Sequence, residues 1–186
     1  MRLRRLVALR PLALTACGYN TIQTYDEKAN AAKQQIEVQL QRRADLVPNL
    51  VEVVRGQAKQ ELEVFTQVAK ARSGLVDAVQ KGDPRGMAEA NEQLTTAMRG
   101  LMIQVEAYPQ IKSDQAFLRL QDELTGTENR IAVSRTDLNG AVETYNTYIR
   151  KFPQVMTAKV IGSKPKEYFE VSNAAAREAP KIDLTK

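Results

Sequence analysis

Apolar residues recur at intervals of seven along most of this chain, and the clearest run lies between residues 117 and 152. Six positions share a single seven-residue interval: Phe117, Leu124, Ile131, Leu138, Tyr145 and Phe152. Residues three or four positions further on, such as Leu120 and Val142, complete the a/d seam of a long helix that packs against neighbouring helices. We expect this helix to end at Phe152, because Pro153 disfavours helical geometry in the residue before it.

Two segments in the first half of the chain repeat the pattern on either side of a proline. The first begins near Thr21, and the second extends from Val47 to Val79. Pro48 lies at their junction, and a proline inside a helix removes one hydrogen bond and clashes with the preceding turn. We therefore expect a break or kink near Ala44 and Asp45, either because Asp45 caps a new helix or because a single helix is kinked there.

A glycine, an aspartate and a proline separate the second helix from a third. Gly82 suits a left-handed C-terminal position, Asp83 an N-cap and Pro84 the first helical position. The third helix then runs from Met87 to Tyr108 and is closed by Pro109. Four helices with short connections, and no alternating strand-like run, predict an all-α fold: an elongated antiparallel four-helix bundle with long helices.

The helical pattern weakens after the fourth helix. We expect several apolar residues of this segment to pack back on the bundle: Val155, Met156, Val160 and Ile161, with a last contact from Tyr168 and Phe169. From about Val171 onward Ser, Asn, Ala, Pro and Lys predominate, so a mobile, disordered tail is predicted over residues 170–186. The bundle domain is predicted over residues 21–169.

The N-terminal residues are typical of an export signal that ends in a lipid anchor. Four arginines and no acidic residue precede the single cysteine, and the sequence Leu-Thr-Ala leads directly to Cys17. A positive stretch, an apolar stretch and small residues form a secretory signal, and a cysteine after Leu-Thr-Ala resembles a bacterial lipobox. We expect a lipoprotein-type signal peptide at residues 1–16, lipidation of Cys17 and a lipid-anchored linker at residues 17–20. The alternative is an incidental thiol.

The lipid is the expected attachment to the membrane, since no run approaches the ~20 apolar residues that a spanning helix needs. Gly18 stands where an aspartate commonly retains bacterial lipoproteins at the inner membrane. The expected location is therefore the cell envelope, facing the periplasm, with the outer membrane favoured over the inner membrane.

Most of the net positive charge lies in the predicted signal peptide. The whole chain carries a formal +5, but residues 1–16 hold four basic and no acidic residues. The remainder has 23 basic and 22 acidic residues, with the two signs interspersed. A near-neutral chain of this kind lacks the basic footprint of a nucleic-acid-binding protein, so no nucleic-acid partner is expected.

A segment around the predicted break resembles the signature of a known family. Residues 39–51 read Gln-Leu-Gln-Arg-Arg-Ala-Asp-Leu-Val-Pro-Asn-Leu-Val, which looks like the LemA family signature. Further matches follow in order at residues 71–72, 106–109, 127–132, 145–146, 152–153 and 168–170. The resemblance covers about residues 19–170. It implies a four-helix bundle held at a membrane by its N-terminus, and it supplies no mechanism because the family's biochemical role is poorly defined.

Several charged and polar residues fall on or beside the predicted apolar seams. They form a candidate structural polar network: Glu61, Arg72, Glu106, Glu128, Arg135 and Asn139. Charges removed from water need partners, because each unpaired one costs several kcal/mol. We favour an interhelical ion-pair network that fixes helix register. The alternatives are a polar pocket for a ligand or metal, and side chains that reach out to solvent.

A basic pair lies beside the expected break and is a candidate surface for partner proteins. The residues concerned are Arg42, Arg43, Asp45 and Asn49. One interpretation is structural, with Asp45 as an N-cap and the arginines at the end of the preceding helix. The other is a recognition patch at the end of the bundle, which requires these side chains to be exposed.

The motifs of common enzymes are missing from the sequence. The chain has no histidine, which removes the commonest general base and the usual partner of a serine or cysteine nucleophile. It also lacks nucleotide-binding glycine loops and an EF-hand loop. A di-iron bundle would require Glu-x-x-His. We therefore expect no enzyme activity, no cofactor and no metal site.

The function that fits these features best is a non-enzymatic, membrane-tethered helical scaffold or adaptor of the bacterial cell envelope. Its expected partners are the membrane, through the N-terminal lipid, and other envelope proteins. The alternative is a sensor that binds a small ligand or lipid in a polar pocket inside the bundle, which would require a cavity of several hundred Å³. The sequence does not define an oligomeric state.

Overall fold

Six helices make up the described part of the chain. The computed structural model describes the backbone of residues 3–58 and 62–171, and the side chains from residue 18 onward within those ranges. The helices are α1 (Leu3–Gln57), α2 (Leu62–Lys81), α3 (Pro84–Val105), α4 (Pro109–Lys112), α5 (Gln115–Arg150) and α6 (Gln154–Val160). No β-strand occurs in residues 3–58 and 62–171. The fold is all-α, as the sequence predicts.

Helix α1 passes through Pro48 without a break. The break expected near Ala44 is therefore wrong, whereas the alternative, a single helix kinked there, stays a prediction. The chain leaves the helix only after Gln57. Pro48 cannot donate to the carbonyl of Ala44 four residues earlier. Arg72 of α2 supplies the missing donor, because its Nε lies 2.7 Å from the oxygen of Ala44. A side chain from a neighbouring helix thus replaces the hydrogen bond that the proline removes.

The capping role expected for Asp45 is also wrong, because α1 continues on both sides of it. Its Oδ1 instead accepts a hydrogen bond from Nε2 of Gln41, one turn earlier, at 2.9 Å. The seam predicted as one helix from Val47 to Val79 is shared between two helices, the last part of α1 and α2.

The turn between α2 and α3 has the conformation that the sequence predicts. Gly82 adopts a φ of 66°, which favours glycine because it has no Cβ. The carboxylate of Asp83 caps α3 and accepts hydrogen bonds from the backbone N–H groups of Arg85, at 3.3 Å, and Gly86, at 2.8 Å. Pro84 occupies the first turn. Local chemistry alone therefore defines this hairpin.

Helix α5 is the predicted fourth helix, and its start and end have clear causes. Asp114 caps it by accepting from the backbone N–H groups of Ala116 and Phe117. It ends at Arg150, shortly before Pro153. Five of the six seam residues are buried, whereas the last, Phe152, lies beyond the helix and is 83% exposed.

Helices α1 and α5 form a long antiparallel pair that the other helices cover in two parts. Gln57 Nε2 donates to Asp114 Oδ2 at one end of the pair, and the rings of Tyr25 and Tyr148 meet edge to face near the other. The α2–α3 hairpin packs on the half next to Gln57. Helix α6 packs on the other half, where Ala158 joins a separate apolar cluster.

The chain after α6 returns along the bundle as an extended strap, residues 163–171. Asn146 of α5 bonds both backbone groups of Lys166: its Oδ1 accepts from the N–H at 2.8 Å, and its Nδ2 donates to the carbonyl at 2.9 Å. Asn139 holds Phe169 in the same way, at 2.8 and 3.3 Å. The Phe169 side chain is buried in the main core. The two asparagines, one heptad apart, thus act as paired clamps on the strap.

The expected packing of the segment after α5 is wrong in part. Thr157 and Ala158 are the residues of α6 that are buried. Met156 and Val160 are 58% and 79% exposed, respectively, because they lie on the opposite side of this short helix. Residues 172–186, most of the predicted tail, lie outside the described part of the chain.

Candidate functional site

Arg43 lies at the centre of a polar cluster that joins three helices. It extends from α1, and only 2% of its side chain is exposed. Its Nη1 donates to Asn91 Oδ1 at 2.5 Å and to Thr95 Oγ1 at 3.0 Å, both on α3. Its Nη2 lies 2.6 Å from Oε1 of Glu128 on α5, in a charge-assisted hydrogen bond. One guanidinium therefore connects α1 with both α3 and α5.

The backbones of α3 and α5 stay apart along their length. No α-carbon of α3 comes within 8 Å of one in α5, although α2 packs closely on α3 and α1 on α5. Both helices belong wholly to the described residues. The Arg43 cluster is thus a bridge across the open side of the bundle.

Burial governs the electrostatics of this cluster. Removal from water lowers the pKa of Arg43, and the carboxylates of Glu128 and Glu92 oppose that lowering. Half of the Glu128 side chain is exposed, so solvent screens the attraction between the pair. The desolvation of Arg43 is therefore only partly offset, and the pair specifies helix register more than it adds net stability.

Two polar atoms next to the cluster have no hydrogen-bond partner among the described residues: Nε of Arg43 and Oε1 of Gln39. Gln39 precedes Arg43 by four residues on α1, so the two side chains lie on the same side of the helix. A buried polar atom without a partner costs about 1–3 kcal/mol. The cluster therefore contains polar atoms whose cost is not offset within the fold.

A groove runs along the open side between α3 and α5, directly outside the Arg43 cluster. Its first cavity has a volume of about 270 Å³ and is bordered by Thr95 and Glu128, both partners of Arg43. A second cavity of about 350 Å³ continues toward Phe117. The two share Met102 and Gln121. We call these two adjoining cavities the α3–α5 groove.

The groove combines an apolar floor with a polar rim. Met98, Leu124 and Phe117 are buried at its base, and methionine adapts well to irregular partners. Arg99 and Gln121 are exposed at its edge. Its cavities open to the surface rather than lying closed within the core, so they do not form the internal pocket that the sensor alternative requires.

The four residues expected at a partner-binding patch do not share one environment. Arg42, Asp45 and Asn49 are exposed on α1. The exposure expected for Arg43 is wrong, because this side chain turns into the bundle to meet α3 and α5. The structure thus places Arg43 with Glu128, which the sequence assigns to the other set of residues.

The members of the expected polar network are dispersed along the bundle. Arg72 bonds the Ala44 carbonyl, and Asn139 clamps the strap. Glu106 and Arg135 are exposed. Two expected residues fall outside the description: all of Glu61, and the side chain of Cys17, whose backbone belongs to α1.

Sequence reasoning missed Gln39, Asn91 and Thr95 as members of the cluster. A signal existed for Asn91, which follows Met87 by four residues and precedes Leu94 by three on α3, a spacing typical of an apolar seam position. Arg43 itself lies seven residues after Ile36 and seven before Leu50, so it occupies a position of the same seven-residue repeat. The expected helix end at Ala44 concealed that position.

Among the described side chains no group of three potential ligands is placed to hold a metal ion. Within residues 3–58 and 62–171 no helix combines the length and the apolar character that a bilayer crossing requires.

Comparison with known proteins identifies the family. A sequence model of the LemA family matches residues 32–184, most of the chain. The chain belongs to the LemA family. The match includes the Arg43 cluster, the strap and most of the segment predicted to be a tail.

Curated relatives of this LemA-family chain are magnetosome proteins. It is 32% identical over 183 residues to the proteins named MamQ 1 and MamQ 2 of Paramagnetospirillum magneticum, covering 86% of this chain and 67% of each relative. It is 31% identical over 175 residues to MamQ of Magnetospirillum gryphiswaldense, covering 81% of this chain and 64% of the relative. The chain thus spans about two thirds of the length of these relatives.

Proposed function

We propose that this LemA-family protein is a non-enzymatic, membrane-tethered helical adaptor of the cell envelope that binds another envelope protein through the α3–α5 groove. The observation that carries the proposal is the open side of the bundle between α3 and α5. A four-helix bundle usually closes all four of its sides by helix packing. Here one side is left open and lined with apolar side chains.

An amphipathic helix is the occupant that fits this groove. The part of α3 that borders it, from Thr95 to Val105, is about 15 Å long, which is close to three helical turns. An apolar floor with a polar rim matches the pattern of a helix bound in a groove. Arg99 and Glu128 place both signs of charge at the rim, where they can select the orientation of a partner helix.

Two further points support an adaptor over an enzyme or a sensor. The curated relatives are named as magnetosome proteins, which supports a role tied to a particular cellular structure. The cavities of about 270 and 350 Å³ are open grooves, which suit a protein surface better than an enclosed small ligand. Tethering through a lipid on Cys17, with the bundle facing the periplasm at the outer membrane, completes the proposal.

Site-specific photocrosslinking in intact cells tests the groove. A photoreactive amino acid at Gln121, on the rim of the groove, should capture one defined envelope protein. The same amino acid at Val133, which is 62% exposed elsewhere on α5, is the matched control and should not capture it. The crosslinked peptide of the partner should map to an amphipathic helix, and Leu118→Lys at the groove edge should abolish the crosslink.

Other results would contradict the adaptor. Equal capture from Gln121 and Val133 would show that the groove is not the contact surface. A tightly bound small molecule in the purified protein, with no crosslinked partner, would instead favour the sensor.

Metabolic labelling tests the tether separately. A fatty-acid analogue should label the protein, and Cys17→Ser should abolish the label. Label that survives the substitution would refute the lipid anchor and would leave the groove proposal standing.

A further inference from the structure

The end of the bundle that carries α6 exposes an unusual amount of apolar surface. Phe152 is 83% exposed, Met156 58% and Val160 79%. Met156 and Val160 are four residues apart and so share one side of α6, and Phe152 lies two residues before that helix begins. Contiguous apolar patches on a soluble domain mark sites of contact with proteins or membranes.

This exposure is a consequence of how α6 packs. The inner side of α6 is occupied by Thr157 and Ala158, and Ala158 packs in one cluster with Ile22 of α1 and Ile149 of α5. The outer side therefore has no contact with the bundle. Because the inner contacts hold α6 in place, the three apolar side chains cannot turn inward without loss of that cluster.

The stretch of chain that carries this patch contains basic residues and no acidic ones. No acidic residue occurs between Thr144 and Lys166, or anywhere in residues 1–25. Arg150, Lys151, Lys159 and Lys164 are all exposed in the same segment. The near-neutral total of the chain conceals this asymmetry.

The chain also enters the bundle at this end. A Cβ built on Gly18 would lie 3.3 Å from Cγ of Gln154, so the start of the described side chains of α1 lies against α6. Cys17 is the preceding residue. The apolar patch and the exposed basic residues are therefore next to the N-terminal attachment point that the sequence predicts.

We propose that this face, residues 150–164, is a membrane-binding surface for a bilayer with anionic headgroups. Phe152, Met156 and Val160 enter the interface, and the lysines around them contact lipid phosphates. Apolar side chains with flanking Lys and Arg are typical of interfacial binding. Four exposed cations with no acidic residue among them in the sequence suit a surface of many mobile anions. The acidic residue that comes near them, Glu143 beside Lys151, lies outside this segment on α5.

The surface is distinct from the α3–α5 groove. Arg150 follows Glu128 by 22 residues on α5, which corresponds to about 33 Å. Membrane binding and partner binding can therefore be tested separately, and failure of either leaves the other unaffected.

The absence of tryptophan from the chain permits a direct test of insertion. Phe152→Trp introduces a single reporter in the full chain, with Cys17→Ser included so that no lipid contributes. Its fluorescence should shift to the blue on vesicles of phosphatidylglycerol and phosphatidylethanolamine, and brominated lipid should quench it. Val133→Trp, at an apolar position on α5 that is 62% exposed, is the control and should show neither change.

Each outcome of the reporter experiment decides the proposal. A blue shift and quenching at position 152 alone, on anionic vesicles and not on pure phosphatidylcholine, would support it. No shift at position 152, or the same shift at position 133, would overturn it. Retained vesicle affinity in a Phe152→Ser variant that loses a crosslinked envelope protein would also overturn it, in favour of a protein partner.

A charge series tests the headgroup contacts. Each Lys near an anionic surface contributes about fivefold to partitioning, so replacing Lys151, Lys159 and Lys164 by Gln should weaken vesicle binding about a hundredfold. The matched control replaces three exposed cations elsewhere by Gln: Arg55, Lys70 and Lys81. It should change binding less than tenfold. Equal losses in both triple variants would reduce the effect to net charge and overturn the assignment of a face.

Discussion

Arg72→Met should destabilise the protein by about 2 kcal/mol in the natural chain, and by much less when Pro48 is replaced by alanine. The Ala44 carbonyl loses its helical donor to Pro48 and regains one from Nε of Arg72 at 2.7 Å. Methionine keeps much of the apolar stem of arginine but cannot donate. The substitution therefore leaves a carbonyl without a partner in the middle of α1.

The expected loss of stability depends on the hydrogen bond that Arg72 donates and on whether residue 48 can replace it. A hydrogen bond from a charged group, lost so that a part-buried acceptor is left alone, is worth about 1.5–3 kcal/mol. Pro48→Ala supplies an N–H at position 48 that can bond the Ala44 carbonyl, so Arg72→Met should then cost less than about 1 kcal/mol. The expected coupling between the two positions is about 1–2 kcal/mol. Pro48→Ala alone should stabilise by no more than about 1 kcal/mol, because Arg72 already supplies the donor that proline removes and the unfolded chain regains entropy.

Urea denaturation followed by far-UV circular dichroism measures all four members of this cycle. Lys70→Met is the matched control: it removes an exposed cation from the same helix, and its effect should be within about 0.5 kcal/mol in both backgrounds. The reasoning fails if Arg72→Met has the same cost with proline and with alanine at position 48. It also fails if Lys70→Met shows the same coupling.

Three further predictions concern the remaining polar contacts. Arg43→Met should destabilise by about 1–2 kcal/mol in urea denaturation, because the part-buried Asn91 and Thr95 side chains lose their donor. The loss should be smaller by about 0.5 kcal/mol when Glu128→Gln accompanies it, since solvent screens the half-exposed Glu128; equal costs would contradict their pairing. Gln39→Met should raise stability by about 1 kcal/mol in the same assay, because it removes a buried acceptor without a partner; a loss of stability would mean that the oxygen is engaged. Asn146→Leu should increase amide hydrogen exchange at Lys166 by at least tenfold with little change elsewhere, and global destabilisation without this local effect would contradict the clamp.

Local signals were sufficient to predict much of the fold. The Gly82-Asp83-Pro84 turn and the seven-residue seam of α5 each depend on residues close together in the sequence. Both occur as predicted, because capping chemistry and helical periodicity require no information from distant residues.

The wrong predictions for Pro48 and Arg43 share one physical cause, which is that both residues depend on partners far away in the sequence. Pro48 breaks an isolated helix, and it is tolerated here through a donor located 28 positions away from the carbonyl it bonds. The ion pair of Arg43 with Glu128 joins residues 85 positions apart. Helical spacing predicts that Arg43 lies on a seam, but only the packing of three helices defines its partners.

The predicted packing of the segment after α5 is wrong for a different reason. A helix of seven residues is too short for periodicity to distinguish its inner from its outer side. The sequence therefore predicts from apolar character alone that Met156 and Val160 pack on the bundle, whereas Thr157 and Ala158 take the buried positions. Small residues can be inside, and large apolar ones outside, when the neighbouring helix approaches closely.

The continuity of α1 through Pro48 has a mechanical consequence. From Gly18 to Gln57 the helix forms a strut about 60 Å long, held by hydrogen bonds throughout, and Arg72 reinforces the one rung that proline removes. Hydrogen bonding along α1 and its packing on α5 stiffen this strut, so we expect a tilt imposed beside α6 to be carried toward Asp114. Arg72→Met should make α1 easier to bend at Ala44, where the carbonyl then lacks a donor.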